Sequence, residues 1–344
     1  MKNLATWVGL AVISASASVS AQSSVTLYGA LDMGLRHVKN GDASADSLSS
    51  NGNNTSRFGV RGIEDLGDGL KAGFQLESGL TPDTGTQSDA TRFWNRRSTV
   101  SLLGSFGELR AGRDYSVTYL GFEDYDVWSD IGISSVAKFD SSLGSTRDTG
   151  VRADNQLAYF TPGNLGGFYG RAAVAAGEGL TGKKYAAGRA GYAAGPLDAS
   201  ITWGRTTVAP VAGDDAFKTL EAGASYDFGP LKLSGYYTRS TWASLKGANY
   251  YLGAQFPMGR GLIRASYLNA NLSGRTAAGV DTNPNDARQF ALGYLYNLSK
   301  RTALYTNAAR VDNKGSSAIA IDKTPALASG RDSTAYEIGV RHFF

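Results

Sequence analysis

The sequence predicts an all-β protein, a closed antiparallel transmembrane β-barrel of about sixteen strands with its third long loop folded into the lumen. Three observations lead to this prediction. Apolar and polar residues alternate with period two from residue 23 to the end, and short turns alternate with long polar loops. After residue 21, no apolar run reaches the roughly 18 residues that a spanning helix needs. If the chain enters a membrane, it enters as strands.

The composition fits one large β domain. The chain has 344 residues with 44 Gly, 18 Tyr and no Cys, so disulfides and thiolate sites are excluded. Its net charge of +4 is modest, and the basic residues are scattered along the sequence. Nucleic-acid binding therefore has little support.

The first 21 residues resemble a secretory signal peptide. Lys2 precedes an apolar stretch, and small residues lead to Ala21, the expected cleavage site, with Ala17 as the second choice. A membrane anchor is the less favoured alternative because the apolar run is short and breaks into Ser and Ala. Cleavage leaves residues 22–344, with 34 − 1 = 33 basic and 30 acidic residues.

The first strands alternate clearly. Val25, Leu27 and Leu35 share one face of the opening strand, opposite Asp32 and Arg36. Residues 39–55 are expected to form a loop. The next two strands, SRFGVRG and LKAGFQLE, are joined by a tight turn, and their inward positions include Arg57, Arg61 and Glu77.

The following strands flank the longest irregular segment. After a loop at 80–94, RRSTVSLLG places Arg97 inward, with Arg96 as the alternative if the register differs by one residue. RADNQLAYF then places Arg152 inward. The intervening loop, about 115–150, is too long for an ordinary connection. Its aromatic residues favour an ordered, packed loop, in which Tyr119, Phe122 and Trp128 are expected to pin it rather than to bind solute.

The second half of the chain repeats this asymmetry. Turns are expected at PGNLGG, AGPL, FGP, PMGRG and LSKR, and polar loops near 177–184, 206–217, 241–247, 271–286 and 312–332. Short connections on one edge and long ones on the other are typical of a transmembrane barrel. A soluble sandwich would instead bury its apolar face against a second sheet.

The last strand, AYEIGVRHFF, carries a specific resemblance. It ends on Phe344 and is similar to the assembly signal of outer-membrane barrels, with His342 departing from the apolar pattern. Together with SVTLYGALDMGL, SRFGVRGIEDLGDGLKAGFQLE, RRSTVSLLGSFGELRAGRDY and DNQLAYFTPG, it makes the chain similar to the Gram-negative general-diffusion porins, above all the β-proteobacterial ones. The resemblance spans residues 22–344 and implies a homotrimer in which the long loop forms the constriction.

The resemblance also implies pore-lining residues. The basic ones are Arg57, Arg97 and Arg152, with Arg96 and Arg61 beside them, and the acidic one is Glu77; on the loop, Asp126 and Asp130 are the candidates for an opposing acidic wall. The loop lacks the Pro-Glu-Phe-Gly-Gly-Asp stretch of the enterobacterial branch, so its acids are assigned by position alone. The alternative is that the arginines only solvate a polar interior or pair with acids.

The resulting hypothesis is a porin that lets ions and small hydrophilic solutes diffuse passively, with a preference for anions and no cofactor or metal. Its expected partners are two more copies, outer-membrane lipid and lipopolysaccharide, and the barrel-assembly machinery. Two alternatives stay open. One is an adhesin or receptor with a plugged lumen, and the other is a barrel enzyme, for which the sequence shows no nucleophile beside a base.

Overall fold

A computed structural model describes residues 24–344 of the chain, and the predicted signal peptide lies outside these residues. Eighteen strands form one sheet, with every neighbouring pair antiparallel. The sheet closes because β1 pairs with the last strand, β18, on one side and with β2 and β3 on the other. No helix in residues 24–344 has the length and hydropathy of a membrane span.

The strand bounds are β1 Ser24–Asn40, β2 Ala43–Ser50, β3 Arg57–Gly67, β4 Leu70–Thr81, β5 Thr86–Gln87, β6 Arg97–Gly104, β7 Gly107–Tyr115, β8 Arg152–Phe160, β9 Phe168–Ala175, β10 Tyr185–Ala194, β11 Leu197–Val211, β12 Asp214–Asp227, β13 Lys232–Trp242, β14 Leu245–Met258, β15 Gly261–Ser273, β16 Ala287–Asn297, β17 Thr302–Asn313 and β18 Ser333–Phe343. β2 and β3 pair with successive parts of β1, so together they occupy one strand position in the barrel wall. β5 pairs only with β4 and adds no position. The barrel therefore has 18 − 2 = 16 strand positions, which confirms the predicted number.

The two faces of the strands are those that the alternation predicts. On β1, the side chains of Val25, Leu27 and Leu35 are each at least 60% exposed, whereas Asp32 is fully buried. An apolar outer face is stable in lipid, and the backbone of a closed barrel leaves no hydrogen-bonding edge. The exposed apolar residues are therefore the membrane-facing surface.

Several predicted loops are shorter than expected. In the segment expected as a loop at 39–55, β1 continues to Asn40 and forms a hairpin with β2, and in the segment 206–217 only residues 212–213 separate β11 from β12. These extensions are rich in small and polar residues, so their hydrophobic pattern is that of a loop. Backbone hydrogen bonds continue the ladder all the same, since they do not depend on apolar side chains.

The inner loop, residues 116–151, enters the lumen as predicted. It contains the helix α1, Val117–Glu123, and two single 3-10 turns at Gly132–Ser134 and Ala137–Phe139. Helix α1 contacts β9 to β13, and the first 3-10 turn contacts β16 to β18, so the loop crosses the barrel. Its buried apolar side chains form the main internal cluster; they include Tyr119, Phe122, Tyr125, Val127, Trp128 and Ile133.

Hydrogen bonds to the barrel wall fix the inner loop. Trp128 donates from Nε1 to Ser266 Oγ at 2.7 Å, and the Tyr125 hydroxyl donates to Asp198 at 2.9 Å. On the far side, Gln289 donates to the carbonyl of Ser134 at 2.9 Å. Because the loop is held at several points along its length, its aromatic residues serve packing, which is the role the sequence predicts for them.

Candidate functional site: a charged cavity beside the inner loop

A cavity of about 450 Å³, here called the eyelet cavity, separates the inner loop from the adjacent strands β3, β4, β6, β7 and β8. The barrel contributes four arginines, the basic wall, which are Arg57, Arg96, Arg97 and Arg152. The loop contributes Tyr119, Glu123, Ser129, Asp130, Ile131 and Val151, and the wall adds Asn54, Thr55, Glu77 and Tyr115. The structure thus brings together four of the five predicted basic residues, including the alternative Arg96.

Glu77 lies inside the basic wall and not across from it. Its carboxylate is 2.7 Å from Nε of Arg96 and 3.4 Å from Nε of Arg57, and it accepts a hydrogen bond from the Tyr28 hydroxyl at 3.0 Å. β4 supplies it opposite Arg97 in the register. Glu77 is therefore a counterion that lets Arg57 and Arg96 lie close together.

The other two arginines differ in their pairing. Arg97 Nε lies 2.8 Å from Asp114, whereas Arg152 has no carboxylate oxygen within 4.0 Å among residues 24–344. Arg152 donates from Nε to the backbone carbonyl of Arg96 at 2.9 Å. Its charge is the least compensated of the basic wall.

Tyr115 holds the basic wall together, a role that the sequence alone does not indicate. The guanidinium carbons of Arg97 and Arg152 lie 5.1 and 4.3 Å from the centre of its ring, and Arg96 donates to its hydroxyl at 2.7 Å. Cations gain about 0.5 to 2 kcal/mol from such contacts with an aromatic face. The ring also stacks on Tyr119 of the inner loop, with 5.0 Å between centroids.

Arg61 lies outside the eyelet cavity. It follows Arg57 by four residues on β3, which places it about 13 Å further along the strand. There it lines a second lumenal space together with Gln75 and Arg110, with its guanidinium 5.2 Å from the centre of the Tyr28 ring. Its assignment to the constriction is therefore corrected: it faces the lumen at a different height.

Asp126 also requires a correction. Its side chain is buried and accepts hydrogen bonds from the Tyr251 hydroxyl at 2.7 Å and from the backbone of Trp128 at 3.1 Å. Burial raises the pKa of this carboxyl to about 6. Asp126 thus attaches the loop to β14 and does not face the arginines.

Asp130 and Glu123 are the loop acids that line the eyelet cavity. One oxygen of Asp130 accepts from Ser135 Oγ at 2.6 Å and from the backbone of Ala137 at 2.7 Å, so it is turned toward its own loop. Glu123 makes no ion pair within residues 24–344. Burial, reinforced by the neighbouring aspartates, raises its pKa to about 7.

Glu123 is one of the loop acids that the sequence places opposite the basic residues, but the sequence does not select it as a pore-lining residue because it does not predict helix α1. Tyr119 and Glu123 are four residues apart, so a helix places both on one face, and this face lines the cavity. In an irregular loop, a spacing of four residues does not place two side chains on the same face. The result is a fixed basic wall on the strands and a weaker acidic side on the loop.

Comparison with known proteins places this geometry in context. A model of the Gram-negative porin family matches residues 9–316. Outer membrane porin protein 32 of Delftia acidovorans is 40% identical over 358 residues, covering 98% of this chain and 99% of that protein. The solved structure of an anion-selective porin from Comamonas acidovorans has a TM-score of 0.83 and 36% identity, covering 94% of this chain and 100% of the other. An outer membrane porin protein of Bordetella pertussis is 32% identical over 169 residues, covering 44% of this chain and 43% of that protein.

Proposed function

Because the chain belongs to the Gram-negative porin family and is an outer-membrane porin, we propose that it is a general-diffusion pore that prefers anions. In this proposal the eyelet cavity is the constriction. Ions and small hydrophilic solutes pass it down their own gradients, and no catalytic step is involved. The similar porin from Comamonas acidovorans is described as anion-selective, which agrees with this preference.

The imbalance of charge between the strands and the loop carries the proposal. Four arginines share the two nearest carboxylates, Glu77 and Asp114, which leaves 4 − 2 = +2 on the basic wall. Of the two loop acids, Asp130 keeps its charge but is turned toward its own backbone, and Glu123 is only about half ionised at pH 7, so together they offset less than the +2 of the basic wall. A permeating anion therefore meets a net attractive field at the narrowest part.

The expected assembly is a homotrimer in contact with outer-membrane lipid and lipopolysaccharide, inserted by the barrel-assembly machinery. Phe344 supports the last expectation by its position. Its backbone exchanges hydrogen bonds with Gly29 at 3.1 and 3.2 Å, and its side chain is 44% exposed, so the ring is not part of a buried core.

Planar-bilayer recording tests the proposal. The purified protein should insert as conducting units that close in three equal steps, and under a salt gradient its zero-current potential should have the sign of anion preference. It should also migrate as a trimer in SDS until heated. A protein that inserts without conducting would instead indicate a plugged barrel. A cation-preferring channel would leave the porin assignment intact and refute the proposed selectivity.

A further inference from the structure

A second segment, besides the inner loop, projects into the lumen. β1 pairs Ala30 with Arg57 and Met33 with Ser50, so only Leu31 and Asp32 lie between these pairs. On the facing strands β2 and β3, residues 51–56 lie between the partners of these pairs, Ser50 and Arg57. Six residues therefore occupy the space of two, and the four surplus residues must leave the sheet. We call residues 51–56 the inner segment.

The carboxylate of Asp32 binds the inner segment through its backbone. Three consecutive N–H groups, those of Gly52, Asn53 and Asn54, donate to it at 3.0, 3.0 and 2.7 Å. The Tyr305 hydroxyl donates to the same carboxylate at 2.7 Å. Successive N–H groups that converge on an anion form a strong binding site, and charged acceptors strengthen each hydrogen bond. Asp32 itself is fully buried.

Ser56 closes the inner segment on the backbone of the same aspartate. The backbone N–H of Asp32 donates to Ser56 Oγ at 3.0 Å, and Ser56 Oγ donates to the carbonyl of Asp32 at 3.1 Å. Both ends of the segment are thus tied to β1, since Asn51 also donates from its backbone to the carbonyl of Asp32 at 3.1 Å.

The inner segment contacts both sides of the eyelet cavity. On the basic wall, the carbonyl of Thr55 accepts a hydrogen bond from the guanidinium of Arg57 at 3.3 Å, and Asn54 and Thr55 line the cavity directly. On the loop side, Gly132 has a φ of +69°, and a β-carbon there would overlap the carbonyl oxygen of Gly52. The segment therefore touches an arginine of the basic wall and the loop at once.

The inner segment also organises two further arginines. Arg264 donates to the side-chain oxygen of Asn53 at 2.5 Å, and Arg341 donates to that of Asn54 at 3.1 Å. Neither arginine has a carboxylate oxygen within 4.0 Å among residues 24–344. Moving the segment would therefore move cations on two parts of the lumenal wall.

From these contacts we propose that Asp32 is a positioning residue of the pore. Its buried carboxylate holds the inner segment as a second inward wall, which fixes the width of the eyelet cavity and the orientation of Arg57. The inference rests on the proposed function, because it gives this segment a role in permeation. Asp32 does not touch the permeating ion.

The test replaces Asp32 by Asn, which keeps the volume and removes the charge that three N–H groups bind. The matched control is Asp214→Asn, a carboxylate on β12 that also accepts backbone N–H groups, those of Ala216 at 3.0 Å and Ala243 at 3.2 Å, away from the inner segment. Single-channel conductance, open-channel noise, zero-current potential and the heat stability of the trimer are measured for both. We expect Asp32→Asn to change the conductance, raise the noise and reduce anion preference, while the control keeps the values of the parent.

A second variant covers the case in which Asp32→Asn does not fold. Deleting residues 52–55 leaves two residues opposite Leu31 and Asp32 and restores regular pairing; the conductance should rise because the second wall is gone. If either variant lowers the heat stability but keeps the conductance and zero-current potential of the parent, Asp32 is only structural and the inference is wrong. If the parent itself prefers cations, the proposed function fails, while the conductance comparison still decides this inference.

Discussion

Neutralising the basic wall should reverse the selectivity of the pore. The perturbation is the triple substitution Arg57→Gln, Arg97→Gln and Arg152→Gln, which removes three positive charges and shortens three side chains. The basic wall then changes from +2 to 2 − 3 = −1, counted with Glu77 and Asp114 as its counterions. Arginine stays charged throughout the physiological pH range, so the change does not depend on buffer pH.

The magnitude follows from Coulomb's law. A net charge of +2 at about 8 Å from a permeating anion is worth about 1 kcal/mol in bulk water, and several times more beside low-dielectric protein. The triple variant should therefore cost an anion about 1.5 kcal/mol and favour a cation by a similar amount, which together is roughly hundredfold in the ratio of their permeabilities before screening. Screening weakens both effects when the ionic strength rises above roughly 0.15 M.

The assay is the zero-current potential across a planar bilayer in a salt gradient, recorded at low and high ionic strength. A matched control, Lys218→Gln with Arg239→Gln and Arg288→Gln, removes three exposed cations from strands outside the eyelet cavity. The triple variant should shift toward cation preference and conduct more, and the control should resemble the parent. If the triple variant keeps the reversal potential of the parent, the basic wall does not set selectivity.

Three further predictions concern other parts of the pore. Since the Glu123 carboxyl has a pKa of about 7 and is neutral below it, anion preference should rise as the pH falls from 8 to 5, and Glu123→Gln should weaken this dependence of the zero-current potential, leaving the part that titrates with Asp126, whose pKa is about 6. Gly132→Ala should displace the loop from Gly52 and alter single-channel conductance without reversing selectivity; unchanged conductance would contradict this. Deleting Phe344 should lower the amount of protein in outer-membrane fractions while export to the periplasm continues, and equal amounts of parent and variant would count against an assembly role.

The barrel was predictable because every strand in lipid must alternate apolar, lipid-facing residues with polar, lumen-facing ones. Each strand needs an apolar face outward, so the faces of β1, β3 and β4 can be assigned from parity alone. Arg57, Arg97 and Arg152 follow from the same parity, since a charged side chain on a spanning strand must turn to the lumen. The predicted cluster of basic residues required no knowledge of the loop.

The acidic side was harder to predict because it depends on tertiary contacts. Asp126 and Glu123 are three residues apart in one loop, yet one is buried against Tyr251 and the other lines the cavity. The inner segment was missed for a related reason. Its small polar residues are typical of a loop; only the register between β1 and its neighbours reveals that it must leave the sheet, and only its contacts with Asp32 and the inner loop show that it folds inward.

The division of charge between strands and loop has a physical consequence. The basic wall lies on adjacent hydrogen-bonded strands, with Arg96 just before β6, and Glu77, Asp114 and Tyr115 offset its internal repulsion, so its arginines are held by contacts with the barrel itself. The opposing acids lie on a loop held by buried aromatic packing and side-chain hydrogen bonds, and these contacts open at lower cost than a strand ladder. A displacement of the loop would therefore change the width of the pore and the weaker acidic field, while the stronger basic field would stay in place. A pore built in this way can vary in conductance and still keep the sign of its selectivity.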